Sequence, residues 1–355
     1  MKNQHAFILV CFCSGLFITW RTCHLTFQQI RQETTGSLML RRQLCERLRA
    51  KYASIKAIKL TTQFSNDMKE LMSCPWKTNI THKERYRVEL YSSCNATDEL
   101  ILTKQNTFLG QNVTYDGERR IRVVDKSMLK MLPESTPWRT GGLLGRCAVV
   151  GNGGILKNSS CGSMINKADF VIRFNLAPII LSEDIGVKTS LITANPSQIK
   201  RSYPNMKKHR HRLANHLSLY GDAPLLMPAF AYRLCTGISF QVHQALLPLR
   251  PQQKVVFFNP NYLRELHLYW RQRGQRALRL STGLMLASVA LELCEEVHLY
   301  GFWPFSVDLS QQKLSHHYYD NVGPRQRAHS MPREFLQLLK MHSMGAINLH
   351  IGKCQ

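Results

Sequence analysis

Short, continuous apolar runs recur through the second half of the chain: Cys147-Ala-Val-Val150, Phe170-Val-Ile172, Ser190-Leu-Ile-Thr193, Val255-Val-Phe-Phe258 and Val297-His-Leu-Tyr300. None alternates strictly with polar residues, so each predicts a strand buried on both faces. Helical patterns stand between them, above all Gly283 to Leu293. Strands alternating with helices predict an α/β fold built on a doubly wound, mostly parallel sheet. In that architecture ligands bind beyond the carboxyl ends of the strands, where the strand order reverses.

Upstream the pattern changes. Residues 6–20 are uncharged and almost wholly apolar, flanked by Lys2 and Arg21. No small-x-small cleavage site follows, which favours an uncleaved signal-anchor over a cleaved signal peptide. The run is shorter than the span of about 20 residues that a typical bilayer asks for, and thin early-secretory membranes suit short spans. The chain then divides into a cytoplasmic tail (1–5), a transmembrane signal-anchor (6–20), a basic stem of loose helical spacing (21–73) and a lumenal catalytic body (74–355). Cys74 to Pro137 reads as an irregular, glycosylated lead-in to that body.

Composition narrows the chemistry. Lys and Arg number 47 against 23 Asp and Glu, a net charge of +24, which calls for anionic partners: nucleic acid, anionic lipid, or phosphorylated or carboxylated substrates. A hydrophobic fraction of 44% excludes a disordered chain. Eleven cysteines without a C-x-x-C pair suit an oxidising compartment better than a zinc ribbon. Sequons at Asn79, Asn95 and Asn112, with a fourth at Asn158, point the same way. A lumenal body removes nucleic acid from the partners.

Three segments carry candidate chemistry. Strand 147–150 runs straight into Gly151-Asn152-Gly153-Gly154, where backbone can approach a phosphate or sugar closely. The third glycine of the dinucleotide fingerprint is missing, so a nucleotide-binding turn and a plain strand-to-helix turn are both open. Ser281-Thr282-Gly283 precedes the apolar helix and puts a hydroxyl cap and free N–H groups at its start, an anion seat or an ordinary N-cap. The densest polar cluster is Ser315-His316-His317-Tyr318-Tyr319-Asp320-Asn321, followed by His329-Ser-Met-Pro-Arg-Glu334. Histidine titrates near neutrality and can take a proton from a sugar hydroxyl. No H-E-x-x-H and no cysteine at ligand spacing accompanies these histidines, which speaks against zinc. A D-x-D pair for a diphosphate-bound ion is absent, Asp116-Gly-Glu118 being the nearest approach, so no metal cofactor is expected.

These residues resemble the animal sialyltransferases, specifically their α-2,8 branch. Cys147-Ala-Val-Val-Gly-Asn-Gly-Gly-Ile-Leu through Asn175-Leu-Ala-Pro178 is similar to the large sialyl motif, and Leu280-Ser-Thr-Gly through Gly301-Phe-Trp-Pro-Phe305 to the small one. His316-His-Tyr-Tyr-Asp320 is similar to the third motif, and His329-x4-Glu334 to the very small one. The resemblance spans about Cys147 to Cys354 and implies a single-pass type II Golgi membrane enzyme of modified GT-A fold. Such an enzyme uses CMP-sialic acid without metal and inverts the anomeric centre.

Carried over, His329 would be the general base and His317 would stabilise the leaving phosphate, with the hydroxyls of Tyr318 and Tyr319 beside it. Asn152, Asn175 and His316 would hold the donor, Ser281, Thr282 and Gly283 the CMP portion, and Trp303 would wall the nucleotide pocket. The family pattern pairs Cys147 with Cys294 and Cys161 with Cys354. Cys74 and Cys94 are then left to pair with each other or between chains, the latter giving a homodimer. Two positions depart from the pattern: Phe174 stands where relatives commonly carry a cysteine, and Asn158 falls inside the large motif.

The partners implied are CMP-sialic acid, a sialylated glycolipid or glycoprotein and the Golgi membrane. Addition of one or a few sialic acids is favoured. The neighbouring readings are a polysialyltransferase, which the basic residues from Lys200 to Arg212 and Arg264 to Arg279 would suit, and a sialoglycan-binding pseudoenzyme.

Overall fold

The computed structural model describes residues 36–138, 141–322 and 329–354. The expected signal-anchor at 6–20 and the cytoplasmic tail lie outside the described residues. Among those described, no helix is long and apolar enough to cross a membrane. The chain divides into two compact units, Met1–Lys51 and Tyr52–Gln355. In the first, residues 36–51 are helical.

The second unit is organised by a seven-stranded sheet in which every neighbouring pair is parallel. Its strands are β3 (Leu144–Val150), β4 (Phe170–Arg173), β5 (Leu191–Thr193), β6 (Leu225–Met227), β7 (Val255–Phe257), β8 (Cys294–Tyr300) and β9 (Asn348–His350), in the order β7-β6-β5-β4-β3-β8-β9. A separate antiparallel hairpin joins β1 (Asn112–Thr114) to β2 (Ile121–Val123). The continuous apolar runs are strands buried on both faces, and the doubly wound α/β expectation holds. Two strands escape the sequence pattern. β6 is three residues long ahead of a proline, and β9 is an edge strand with one buried residue, Leu349, between two half-buried polar ones.

The longer helices are α1 (Thr62–Ser73), α2 (Ile80–Ser93), α3 (Pro196–Ser202), α4 (Met206–Leu217), α5 (Arg233–Leu246), α6 (Pro260–Gln272), α7 (Thr282–Leu293) and α8 (Met331–Ser343). α7 is apolar all round because it is enclosed: Leu284 to Glu292 are all buried, with β3 and β8 on one side and α2 on the other.

The segment before β3 is therefore part of the packed body. Leu90 of α2 is fully buried. In α1, inside the stretch the sequence assigns to the stem, Phe64, Met68 and Leu71 are buried and Phe64 lies parallel to Trp303 at 6.2 Å. The apolar residues of α1 and α2 are too widely spaced to announce burial until partners beyond residue 280 are placed.

Disulfides join Cys147 to Cys294 and Cys161 to Cys354, over separations of 147 and 193 residues. Closing loops of this length stabilises by about 5 kcal/mol each in the chain-entropy account. Cys94 and Cys235 are buried free thiols, whereas Cys74 is disulfide-bonded, so Cys74 and Cys94 are not joined to each other.

One core charge is left half-answered. The Glu292 Oε1 of α7 accepts the Thr97 N–H at 3.2 Å, while Oε2 has no partner among the described residues. Burial pushes this carboxyl up from 4.5 to about 7, against the pull of the Thr97 and Ala96 N–H groups. A raised carboxyl favours the fold while protonated, so its contribution is full below about pH 4.5 and is lost as pH rises through 7. Urea unfolding at pH 4.5 and pH 8 should show the wild type losing up to about 3 kcal/mol relative to Glu292→Gln across this range. Parallel pH profiles would remove Glu292 from that role.

Candidate active site

β3 and β8 are adjacent, and the chain leaves them in opposite directions across the sheet, so the strand order reverses between their carboxyl ends. The glycine-rich turn after β3 and the Gly301-Phe302-Trp303 turn after β8 meet there. Gly151 N–H donates to Tyr300 O at 2.7 Å and Gly153 N–H to Gly301 O at 3.1 Å. The glycines are required by backbone on backbone. A methyl at Gly151 would stand 2.8 Å from Gly301 O, one at Gly153 2.5 Å from the same oxygen, and one at Gly154 2.1 Å from Ser315 O. On the side a Cβ would take, these glycines thus meet the protein's own chain.

That contact brings in the histidine-rich segment. Gly153 bridges His317, and Tyr318 N–H donates to Asn152 O at 3.0 Å. The Tyr318 hydroxyl is buried and donates to Pro178 O at 2.7 Å, which fastens this segment to the loop after β4. The Asn152 side chain donates to Phe174 O at 3.2 Å. Next to it Asn175 and Leu176 have φ of 55° and 52°, conformations that asparagine tolerates and leucine resists. The strained pair is held from three sides: Thr193 Oγ1 accepts the Asn175 N–H, Thr193 O accepts the Leu176 N–H, and Asn175 Oδ1 accepts the Asn195 N–H.

His317 Nδ1 lies 2.7 Å from Asp320 Oδ1, and its ring stacks on Tyr319 at 5.0 Å. A carboxylate only accepts, so Nδ1 carries the proton and Nε2 is left for a ligand. Burial works to raise the Asp320 carboxyl, but the His317 bond, the Val322 N–H and the Arg201 charge together hold it below its ordinary range. His316 is exposed, its ring edge-on to His317 at 4.5 Å.

A second constellation forms at the start of α7. Ser281 caps the helix, its Oγ accepting the Leu284 N–H at 3.1 Å. The same hydroxyl donates to Glu334 Oε2 of α8, and Ser281 N–H donates to Glu334 Oε1 at 2.8 Å. Burial raises the Glu334 carboxyl, while the two Ser281 bonds and the His329 charge draw it back. Thr282 and Gly283 are left to present the first N–H groups of the helix to an anion. His329 is exposed, with Nδ1 3.0 Å from Arg279 O. A carbonyl oxygen only accepts, so Nδ1 carries a proton, and in the neutral ring the lone pair is on Nε2. Arg279 is itself held by Asp116 at 3.0 Å and lies over the Tyr232 ring at 4.9 Å.

Phe302 joins the two constellations. Its ring meets Phe174 edge-on at 6.3 Å, and a methyl at Gly283 would stand 2.9 Å from it. Trp303 is 7% exposed and its ring is enclosed by Phe64, Phe305 and Phe335, with Nε1 donating to Val307 O at 2.7 Å. The pairing of Glu334 with Ser281 is invisible in sequence, because the two are 53 positions apart, and Phe302 likewise meets Phe174 only in the folded chain.

The sequence profile of Glycosyltransferase family 29 (sialyltransferase) matches residues 101–346. Among curated relatives, "Alpha-2,8-sialyltransferase 8F" of Mus musculus is 45% identical over 83% of this chain and 76% of its own length. "Alpha-N-acetylneuraminide alpha-2,8-sialyltransferase" of Bos taurus is 43% identical over 79% of each chain. "Alpha-2,8-sialyltransferase 8E" of Homo sapiens is 40% identical over 87% of this chain and 84% of its own.

The meeting of the two turns can be tested by adding one carbon. Gly153→Ala should cost about 2–3 kcal/mol by overpacking, seen as a fall of about 5–10 °C in Tm. Gly237→Ala, in the exposed middle of α5 with open space around it, should instead gain about 0.5–1 kcal/mol. Equal melting of wild type and Gly153→Ala would show that the turns do not depend on this contact.

Proposed function

Because the chain belongs to glycosyltransferase family 29, the sialyltransferases, we propose that it moves sialic acid from CMP-sialic acid to a terminal sialic acid of a glycolipid or glycoprotein. The bond formed is α-2,8, with inversion, and one or a few residues are added. The names of the three relatives support the linkage. The observation that carries the mechanism is His329, whose Nδ1–H is committed to Arg279 O beside the Ser281–Glu334 pair.

The neutral ring offers the Nε2 lone pair to the acceptor hydroxyl. As the bond from the acceptor oxygen to the anomeric carbon forms, the bond from that carbon to the CMP phosphate breaks, and the acceptor proton passes to His329. Negative charge gathers on the leaving phosphate. It is met by the Thr282 and Gly283 N–H groups at the start of α7 and by the Nε2–H of His317 in its doubly protonated, imidazolium form, whose Nδ1–H stays on Asp320. Asn152 and Asn175 hold the donor from the ends of β3 and β4.

No divalent ion takes part in this scheme. The phosphate charge is answered by protein donors, and the two carboxylates nearest to a D-x-D are engaged: Asp116 by Arg279 and Glu118 by the Arg233 N–H. A Golgi lumenal setting behind the 6–20 anchor suits the two long-range disulfides. Asn79 and Asn112 are exposed and open to glycosylation, whereas the Asn95 amide is turned onto Asp98.

His329→Ala should lower transfer by at least about 10²–10⁴-fold with CMP binding retained, measured by radiolabelled transfer and by calorimetry. Turnover that survives the substitution would take the base role from His329. A chelator should leave the rate unchanged; a manganese requirement would overturn the metal-free scheme.

A further inference from the structure

The Asp116-Gly117-Glu118 run lies in the turn of the β1–β2 hairpin. Each of its residues is fastened to the segment that opens α5. Asp116 N–H donates to Phe230 O at 3.0 Å and Gly117 N–H to Ala231 O at 2.8 Å, while Glu118 Oε1 accepts the Arg233 N–H. A methyl at Gly117 would overlap the Tyr232 ring, so the turn is pressed onto the same ring over which Arg279 lies.

These contacts already dock the hairpin, and the Asp116 carboxylate takes no part in them. It reaches instead to Arg279, whose Nη2 donates to Oδ2 at 3.0 Å. The pair is largely sheltered, with side-chain exposures of 14% for the aspartate and 21% for the arginine. Burial raises the Asp116 carboxyl, and the charges of Arg279, and of His267 and Arg264 on α6, draw it back. A sheltered ion pair adds little net stability, because desolvation offsets its attraction. What this one does is fix where Arg279 stands.

Arg279 needs such a hold. Between α6 and α7, residues 275–281 form neither helix nor strand, so no ladder sets the direction of the Arg279 carbonyl. Downstream the chain is held by Glu334, which accepts the Ser281 N–H, and upstream Leu278 is 87% exposed. The carbonyl between them receives the Nδ1–H of His329 at 3.0 Å, and His329 is itself exposed. The direction of that ring therefore depends on an oxygen whose own residue is fixed through its side chain, by Asp116 and Tyr232.

We propose that Asp116 is a positioning residue for the transfer: through Arg279 it aims the His329 ring, so that Nε2 faces the acceptor hydroxyl. The proposal rests on the reading of His329 as the general base. The path runs from the Asp116 carboxylate to the Arg279 guanidinium, then along one residue to its carbonyl and the Nδ1–H.

The test uses the full chain with Asp116→Ala, Asp116→Asn, Asp116→Ala/Arg279→Ala and His329→Ala. Loss of aim slows the chemical step and spares binding, so Asp116→Ala should lower kcat about 10–10²-fold, with KM for donor and acceptor within about twofold of wild type. CMP affinity by calorimetry should be unchanged, which also verifies the fold, since the start of α7 is held separately by Glu334. Asp116→Asn keeps an oxygen that accepts from Arg279 and should recover kcat to within about threefold of wild type. The double variant leaves neither charge unpaired and should show the same kcat-only loss as Asp116→Ala, because the two residues act as one unit.

A wild-type kcat in Asp116→Ala or in the double variant would overturn the proposal while the reading of His329 stands. So would a loss shared by kcat, KM and CMP affinity, or an Asp116→Asn enzyme no faster than Asp116→Ala. Turnover that survives His329→Ala would overturn the base reading, and the proposal with it.

Discussion

Two parallel strands, β3 and β8, lie side by side where the strand order of the sheet reverses, and nearly everything of chemical interest hangs from their carboxyl ends. They are held at one end by the Cys147–Cys294 disulfide and at the other by Gly151 and Gly153 pressed against Gly301. A side chain at any of these three positions forces the turns apart. The constraint is steric and local, yet it sets where Asn152, His317 and Phe302 stand, because each belongs to one of the turns or is bridged to one.

The two histidines are prepared for different work by what each Nδ1 touches. His317 faces a carboxylate, which orients the ring and offsets a positive charge that forms on it. His329 faces a neutral carbonyl, which orients the ring and leaves it a base. The acid partner on the His329 side, Glu334, does not touch the histidine ring by any hydrogen bond; it grips Ser281 instead, joining α8 to the start of α7. Positioning and charge are thus separated, so the same residue type can serve at both ends of one transfer.

Much of this was legible before the structure. Five of the seven sheet strands follow from continuous apolar runs, and the Ser281 cap follows from a hydroxyl ahead of an apolar helix. The two disulfides follow from family resemblance, not from spacing. What the sequence hid were features made by distant partners. The glycine run reads as either a nucleotide-binding turn or a plain strand-to-helix turn, and what it cannot show is that its Cβ side is met by Gly301 and Ser315. Residues 62–93 read as stem and lead-in because their apolar positions find partners such as Trp303 and α7 only in the folded chain. Trp303 reads as a pocket wall, and its ring sits among Phe64, Phe305 and Phe335.

The central claim is that this site joins sialic acid to sialic acid. The most direct measurement is transfer from labelled CMP-sialic acid by the purified full chain to matched acceptors that differ only in a terminal sialic acid, with product linkage read by mass spectrometry and NMR. The mechanism requires an α-2,8-linked product on the sialylated acceptor and none on its asialo partner. Transfer to the asialo acceptor, or CMP binding without transfer to either, would contradict it.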